Sequence, residues 1–361
     1  MSSTVREVFE QYMTIRGNAS SGNVLAFCPL HGESPGSSTP SLSLNLDTGQ
    51  WHCFAGCGGG SMRSLLVEVA SKPTAARIWE RMQPQLKRSS ARAARKKKEV
   101  GNFRTANPLP ERILGLFEQC PQELLDAGFD PDVLWSHDIG VDLQRDRITF
   151  PIRDVDGYLA AIVGRNRGNR WPKYKLYTDG DGGELTEMGY KQCAFNNRDL
   201  VWRCEHIYAS AFVGGARPTI YVAEGYKAAL WLVQHGYEMT GALMGSSITR
   251  PQRTFLERMG GTVVLCLDAG RAGVRGTYKI GYSLRGMDVR VLRYPDHTEV
   301  DLQPDDLSEE DLHQSIATTL SFPEWESRQP RALVGDLREY RKRFGPRAKR
   351  GPYGKAQDRR R

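Results

Sequence analysis

The sequence predicts an α+β chain of several domains, in which a small β-hairpin domain precedes a larger mixed α/β core. Near the N-terminus, two short Cys/His pairs flank a segment that alternates apolar and polar residues and turns at residues 47–49. Further on, two β-branched apolar runs, 219–223 and 262–267, each end on a carboxylate, with a helical pattern at 227–233 between them. This arrangement is typical of a βαβ unit in a parallel sheet.

The positive charge of the chain is concentrated in two stretches. The 361 residues carry a net charge of +8, yet residues 87–98 hold seven Lys or Arg and no acid, and residues 340–361 hold ten with one Asp. The rest is therefore net acidic. Localised basic segments favour an anionic polymer as partner, although plain solubilising linkers and tails have the same composition. An N-terminal apolar segment and any run of 18 apolar residues are lacking, which predicts a cytoplasmic protein without membrane contact.

The most specific local pattern consists of two short Cys/His motifs that could bind a metal ion. Cys28 and His31 form C-x2-H, and Cys53 and Cys57 form C-x3-C. A hairpin between them would bring the pairs together, as in a closed tetrahedral zinc site of the zinc-ribbon type. His52 is a competing ligand, but strand alternation places it on the opposite face. Four protein ligands leave no position for water, so we expect one structural zinc.

These residues also resemble a known domain. Cys-Pro-x-His at 28–31, Pro-Ser-Leu at 40–42 and Trp-x-Cys-Phe at 51–54 resemble the CHC2-type zinc-binding domain of bacterial and phage DNA primases. The C-x3-C spacing resembles a phage-type variant. The glycine run at 58–60 is expected to turn the backbone before a helix. The resemblance implies that this domain, assigned to residues 1–86, contacts single-stranded template.

A basic flexible linker is predicted for residues 87–107, because the stretch has no apolar face. The core is assigned to residues 108–330. It opens with two helical patterns after Pro108, followed by a strand, turn and strand over residues 147–163. Basic and aromatic residues then alternate over residues 171–177, a mixture that suits a groove for single-stranded nucleic acid.

Four motifs follow one another here: Arg-x-x-Phe-Pro-Ile at 147–152, Asp-x-x-Gly at 154–157, Gly-Arg at 164–165 and Lys-Tyr at 173–174. In this order they resemble the N-terminal half of the primase catalytic core. By that resemblance, Arg165, Asn166, Lys173 and Tyr174 would contact template or nucleotide. Lys191 would be a further basic contact of the same kind.

From residue 219 the chain resembles the TOPRIM fold of primases and topoisomerases, placed at about 217–296. Glu-Gly-Tyr from Glu224 matches the first motif, Asp268 with Ala-Gly at 272–273 the second, and Pro-Asp-Asp around Asp305 the third. Because parallel strands end at one edge, Glu224 and Asp268 should face one crevice, and carboxylates there suit a hard cation. The resemblance implies a catalytic Mg²⁺ or Mn²⁺ on Glu224, Asp268 and Asp305.

Three acids that such motifs usually contain are missing, since positions 228, 270 and 303 hold Ala228, Gly270 and Gln303. The possible substitutes are Asp296, Glu299 and Asp301. Two hypotheses remain. The first is a primase that joins ribonucleoside triphosphates into short RNA primers on single-stranded DNA during phage DNA replication. The second is a degenerate primase-like module that binds single-stranded DNA or accompanies a helicase.

The last segment, residues 331–361, is expected to be a basic, disordered tail. The sequence has no G-x4-G-K-[ST] loop, so we expect the replicative helicase to be a separate partner.

Overall fold

The computed structural model describes residues 4–16, 22–35, 40–55, 57–86, 103–168, 171–191, 197–213, 217–295 and 302–329. Within them, the strands are β1 (Ile15–Arg16), β2 (Asn23–Ala26), β3 (Leu42–Asn45), β4 (Trp51–Cys53), β5 (Gly58–Gly60), β6 (Gly140–Asp142), β7 (Arg147–Arg153), β8 (Leu159–Asn166), β9 (Tyr174–Leu176), β10 (Thr219–Ala223), β11 (Thr240–Ala242), β12 (Thr262–Cys266), β13 (Asp288–Val291) and β14 (Leu320–Ser321).

The α-helices of the same described ranges are α1 (Val5–Phe9), α2 (Met62–Val69), α3 (Lys72–Met82), α4 (Gln122–Asp126), α5 (Pro131–Ser136), α6 (Glu184–Glu187), α7 (Cys204–Val213), α8 (Tyr226–Gln234), α9 (Arg250–Met259), α10 (Arg271–Ser283), α11 (Glu309–Ala317) and α12 (Phe322–Arg328). Short 3-10 helices cover Pro29–His31, Gln83–Gln85, Glu111–Phe117, Asn197–Asp199 and Pro304–Asp306. In the part of the chain that is described, no helix has both the length and the apolar character needed to cross a membrane.

The first sheet has the order β1-β2-β3-β4-β5, and each neighbouring pair is antiparallel. Alternation along β3 buries Leu42 and Leu44 completely. The chain then reverses, with Gly49 at φ +71° and with the Asn45 amide donating to the Gln50 carbonyl at 2.8 Å. The hairpin expected between the two Cys/His pairs is present. The glycine run, in contrast, is not a turn but β5, paired with β4.

The second sheet is antiparallel, with the order β6-β7-β8-β9. Between β7 and β8 the chain turns at residues 154–157, where Gly157 has φ +84°. The strand, turn and strand predicted at 147–163 are therefore present, and β8 continues to Asn166. Two helical patterns were expected after Pro108, with a break at residues 128–131. The first forms a 3-10 helix, Glu111–Phe117, and the α-helix α4, and the second forms α5.

The third sheet has the order β11-β10-β12-β13-β14. The first four strands are parallel, and β14 is antiparallel to β13. Ala223 pairs with Cys266, so β10 and β12 end at the same level. The sequence did not predict β11 and α9, which come between these strands along the chain. Because β11 lies on the outer side of β10, the two acid-bearing strands remain neighbours.

The predicted linker, 87–107, extends too far at its C-terminal end. Phe103 is buried, and its ring centroid lies 5.3 Å from that of Phe255. Arg104 pairs with Asp156 at 2.7 Å. A buried aromatic ring and an ion pair fix these residues, so residues 103–107 belong to the core.

Other expectations fall outside the described residues. These are residues 87–102 of the linker, the tail 331–361, and the candidate acids Asp296, Glu299 and Asp301. The remaining domain boundaries stay predictions.

Candidate metal centres and nucleic-acid site

The two Cys/His pairs meet at one end of the first sheet. Their ligand atoms all lie within 4.8 Å of one another, in a group made of Cys28, His31, Cys53 and Cys57. His31 Nδ1 is 3.0 Å from Cys57 Sγ and 3.8 Å from Cys53 Sγ. Tetrahedral zinc, with bonds of about 2.0–2.3 Å, places its ligand atoms about 3.5–3.8 Å apart. The donor set and its spacing therefore fit a zinc ion, and His52 lies outside the group, in agreement with the strand alternation.

The electrostatics of this cluster also favour a cation. Burial and the neighbouring thiols of Cys53 and Cys28 raise the pKa of Cys57 to about 12. Burial also raises the pKa of the Cys28 thiol. At Cys53 burial acts in the same direction, but hydrogen bonds, chiefly with Ser41, outweigh it and lower the pKa to about 7. Cys28 and Cys57 therefore need a nearby positive charge in order to ionise. A bound metal ion supplies that charge and converts the thiols into thiolate ligands.

Glu33 is a member of this site that the sequence analysis missed. Its Oε2 accepts hydrogen bonds from the backbone amides of Cys28 at 2.8 Å and Ser41 at 3.1 Å. Chiefly through the Cys28 amide, these contacts lower the pKa of Glu33 to about 2. Its Oε1 lies 3.2 Å from His31 Nε2, which leaves Nδ1 to face the thiols. A carboxylate behind a ligating histidine fixes the ring and its tautomer, and an acid two residues after His31 was the available signal.

The predicted catalytic acids lie at the carboxyl edge of the third sheet. Glu224 directly follows β10, and Asp268 lies two residues beyond the end of β12. Asp305 belongs to a short 3-10 helix. The segment leading to Asp305 is tied to the same edge, because the Ala269 amide donates to the Leu302 carbonyl at 2.7 Å. The structure thus brings the three motif segments to one side of the sheet.

Gly273 allows the helix after β12 to start close to this edge. A Cβ atom at Gly273 would lie 1.9 Å from the carbonyl oxygen of Asp268. Any larger residue would push α10 away from the strand end. This close approach is a physical reason for the Ala-Gly pair of the second motif.

The acids at this edge influence one another. Burial raises the pKa of Asp268 to about 6, and the charges of Glu224 and Asp305 add to the rise, while Lys173 opposes it. Burial also raises the pKa of Glu224, again with Lys173 opposing. Partly desolvated carboxylates that repel one another are stabilised by a bound divalent cation. The donor set therefore fits a hard cation of the magnesium or manganese type.

The acids are more widely spaced than the zinc ligands. Among the residues that the structure describes, the Cys/His cluster is the only group of three or more His, Cys, Asp or Glu whose ligand atoms all lie within 4.8 Å of one another. Glu224, Asp268 and Asp305 therefore do not form a closed cage. Such an open arrangement suits magnesium, which keeps several waters and takes substrate phosphates as ligands.

Of the residues expected to contact template or nucleotide, two lie on β8, one lies on β9 and Lys173 directly precedes β9. Arg165 and Tyr174 are paired across these strands, and the Asn166 amide donates to the Lys173 carbonyl at 2.8 Å. The Lys173 ammonium lies 5.9 Å from the centroid of the Tyr174 ring. Beside them, Trp171 is 90% exposed, so its ring is available for stacking.

An aromatic stack connects β9 with the acidic edge. The Tyr174 ring lies 5.7 Å from the Tyr226 ring, which stacks on Phe150 at 4.6 Å. Tyr226 begins α8 two residues after Glu224. The ring contacts, together with the effect of the Lys173 charge on the pKa of Glu224, place the basic and aromatic residues around β9 next to the acids. Lys191 is exposed and does not take part in these contacts.

A second residue that the sequence analysis missed is Lys227. Its Nζ lies 2.9 Å from Asp305 Oδ2, and the Asp305 side chain is only 2% exposed. The signal was its position three residues after Glu224, in the first turn of α8, where a cation is electrostatically disfavoured.

Comparisons with known proteins agree with this fold. Residues 221–305 match a family model described as Toprim-like. The chain is 24% identical to a DNA primase of Halalkalibacterium halodurans, with 84% of this chain and 55% of that protein covered. It is 27% identical to a DNA primase of Escherichia coli K12, with 77% and 54% covered. The chain therefore spans about half the length of the curated relatives it matches.

The crystal structure of the zinc-binding and RNA polymerase domains of the Aquifex aeolicus primase is similar to this chain. The TM-score is 0.53 and the identity 18%, over 94% of this chain and 89% of the other. At this identity the likeness concerns the fold, which is a zinc-ribbon region followed by a mixed α/β core with a Toprim-like parallel sheet. The predicted fold class is confirmed. The resemblance to DNA primases of the bacterial type is confirmed as well.

Proposed function

We propose that the chain is a DNA primase, which joins ribonucleoside triphosphates into short RNA primers on single-stranded DNA. The observation that carries the proposal is that acidic side chains and basic or aromatic side chains lie together at the carboxyl edge of the third sheet. Carboxylates at the ends of β10 and β12 lie beside the basic and aromatic residues of β9. The charge of Lys173, the residue before β9, opposes the rise that burial causes in the pKa of both Glu224 and Asp268. Phosphoryl transfer on a nucleic-acid template needs both a cation site and a strand-binding surface.

The roles proposed at this edge follow from residue chemistry. Glu224, Asp268 and Asp305 form the acidic part, which would hold Mg²⁺ or Mn²⁺. When bound, the ion would align the attacking 3′-oxygen with the α-phosphate and offset the charge of the leaving pyrophosphate. Lys173 would pair with the triphosphate, since an ammonium beside carboxylates attracts an anionic substrate to the same place.

Template contacts are proposed for the neighbouring residues. Arg165 and Asn166 offer donors to phosphate and base edges, and Tyr174 offers a ring face for stacking. Lys191 would add a phosphate contact at the periphery. A replicative helicase is the proposed source of the single-stranded template, in a bacteriophage or bacterial replication system.

In the N-terminal region, Cys28, His31, Cys53 and Cys57 would hold one structural zinc. Four protein ligands close the coordination shell, so the ion would stabilise the fold of the first sheet and take no part in bond making.

The decisive test is primer synthesis with labelled ribonucleotides on single-stranded DNA. The full chain is expected to give magnesium-dependent products, and Glu224→Gln to lower their yield at least about 100-fold, since the lost carboxylate acts on the charged transition state. Glu257→Gln is the matched control, because Glu257 sits in an exposed pair with Arg253 on α9. Equal loss in both variants, or full activity of Glu224→Gln, would contradict the proposal.

A second candidate function is a non-catalytic module that binds single-stranded DNA. It is favoured by Ala228, Gly270 and Gln303, which stand where primase motifs usually have acids. If the chain binds single-stranded DNA but gives no product on varied templates with a helicase present, this second function is the correct one.

A further inference from the structure

Lys227 is held in place from two sides at the acidic edge. Its ammonium lies 2.9 Å from Asp305 Oδ2, and it also lies 5.7 Å from the centroid of the Phe129 ring. Phe129 is itself buried, with its ring 5.3 Å from that of Trp231. A carboxylate on one side and an aromatic face on the other are both favourable partners for an ammonium group. The side chain is thus fixed beside Asp305 rather than extended into solvent.

The position of Lys227 in its helix is unfavourable without such a partner. It is the second residue of α8, whose first turn contains no acidic residue. The N-terminus of a helix carries partial positive charge, which repels a cation. The charge of Asp305 offsets this repulsion, so the two side chains depend on each other.

The carboxylate of Asp305 is almost fully buried. Its side chain is 2% exposed, and its second oxygen, Oδ1, is buried without a hydrogen-bond partner among the described residues. A buried ionised carboxylate requires a nearby cation. In the described structure, Lys227 provides the cation that Asp305 needs.

We propose that Lys227 takes the place of a divalent cation at Asp305, so that Glu224 and Asp268 form the exchangeable metal site. The inference rests on the proposed metal-dependent function and refines it, because Asp305 then acts through its ion pair rather than as a direct ligand. The loss of acids at positions 228, 270 and 303 agrees with it. A site with fewer carboxylates needs less positive charge to neutralise it, and here the Lys227 side chain supplies part of that charge.

The local charges balance under this arrangement. The Lys227–Asp305 pair is neutral, and one divalent cation neutralises Glu224 and Asp268. A second divalent cation at Asp305 would meet a fixed ammonium group 2.9 Å from the ligand oxygen. Two positive charges that share one carboxylate repel each other strongly in a partly buried site.

The test measures Mn²⁺ binding to the full zinc-loaded chain, without template or nucleotide, from the electron paramagnetic resonance signal of free Mn²⁺. Work at about pH 8 keeps the carboxylates ionised. The wild-type chain is expected to bind Mn²⁺. Asp268→Asn should abolish this binding, whereas Asp305→Asn should leave the Mn²⁺ affinity within about twofold of the wild-type value. Lys227→Met is expected to bind an additional Mn²⁺, or to bind Mn²⁺ at least about tenfold more tightly, because Asp305 becomes free for metal.

Three further variants make the outcome decisive. Lys227→Met combined with Asp305→Asn should lose the gain, and Lys227→Arg, which keeps the cation, should resemble the wild type. Lys279→Met is the matched control, because Lys279 lies about 12 Å along α10 from its first residue and should leave Mn²⁺ binding unchanged. Circular dichroism verifies that each variant is folded.

The inference is overturned if Lys227→Met binds Mn²⁺ no better than the wild type. It is also overturned if Asp305→Asn alone abolishes binding as Asp268→Asn does. The result is separable from the proposed function. Suppose that the wild-type chain does not bind Mn²⁺ and that Lys227→Met binds it through Asp305. The lysine then acts as inferred, while the metal site proposed for the wild-type enzyme is refuted.

Discussion

At the residue scale, Glu33 shows how one side chain outside the ligand set can influence the affinity of a metal site. Its carboxylate is anchored by two backbone amides and faces the His31 ring. We expect the full chain to contain about one zinc, and we expect Glu33→Gln to weaken zinc binding about 10- to 100-fold, the usual effect of losing such a partner. Competition with a chromogenic chelator measures the change.

Glu10→Gln is the matched control for this experiment. Glu10 also accepts from a basic side chain in the N-terminal region, but its pair with Arg6 is exposed. It should leave the zinc affinity unchanged. If Glu33→Gln also leaves it unchanged, the carboxylate does not orient His31.

Residue-scale prediction from the sequence succeeded where spacing carries the information. Cys28, His31, Cys53 and Cys57 are brought together as their spacing and the intervening hairpin predict. Glu33 and Lys227 were missed because their local spacing, two residues after His31 and three after Glu224, is too weak a signal on its own. They are recognised by the atoms they contact, and for Lys227 that contact lies 78 residues away along the chain.

At the scale of single elements, β9 and the residues before it present an exposed aromatic ring to solvent. Trp171 is 90% exposed at one edge of the second sheet, close to Lys173 and Tyr174. We expect Trp171→Ala to weaken binding of single-stranded DNA about 5- to 150-fold, equivalent to one lost base–aromatic stack of about 1–3 kcal/mol. Fluorescence anisotropy of a labelled oligonucleotide measures the effect.

Leu143 supplies the control for Trp171. It is 66% exposed and follows β6, the opposite edge strand of the same sheet. Leu143→Ala should therefore leave the affinity unchanged. Similar losses in both variants would indicate a general effect on the sheet, and no loss for Trp171→Ala would remove the ring from the binding surface.

Two of the strands that the sequence did not reveal have no recognisable side-chain pattern. β5 consists of three glycines, and a Cβ atom at Gly59 would lie 2.8 Å from the Trp51 carbonyl oxygen and 3.1 Å from Ser210 Oγ. Glycine is needed there because β4 and α7 both approach the strand closely. β11, Thr240–Ala242, has only three residues, too few for a periodicity to be recognised. The longer strands β7, β8, β10 and β12 carried enough alternation or apolar length to be predicted.

At the scale of the whole molecule, a buried network of charges joins the N-terminal region to the core. Arg63 of α2 bonds to Glu111 at 3.1 Å and also pairs with Asp138. Arg153 of β7 bonds to Glu111 at 2.7 Å and to Asp138 at 3.0 Å. The indole of Trp79 in α3 donates to Glu111 at 3.0 Å. Two guanidinium groups thus face two carboxylates, with each side chain at most 7% exposed.

The network is balanced in charge, which explains how it can be buried. Burial alone would raise the pKa of Glu111, but the charges of Arg153 and Arg63 outweigh it and lower that pKa. Close backbone packing supports the same contact, since a Cβ atom at Gly157 would lie 2.5 Å from Ser61. This network could not be predicted from the sequence, because the partners in its ion pairs lie 15 to 75 residues apart along the chain.

Removing Arg63 should therefore affect the molecule as a whole. In Arg63→Met, Glu111 and Asp138 would share a single guanidinium, and breaking a buried pair in this way costs about 3–5 kcal/mol. Urea denaturation should show this loss, and hydrogen exchange should become faster in α2 and β5. Arg6→Met is the matched control, because the Arg6–Glu10 pair is exposed and such pairs contribute about 0–1 kcal/mol. If both variants unfold at the same urea concentration and exchange alike, the N-terminal region does not depend on this network for its position on the core.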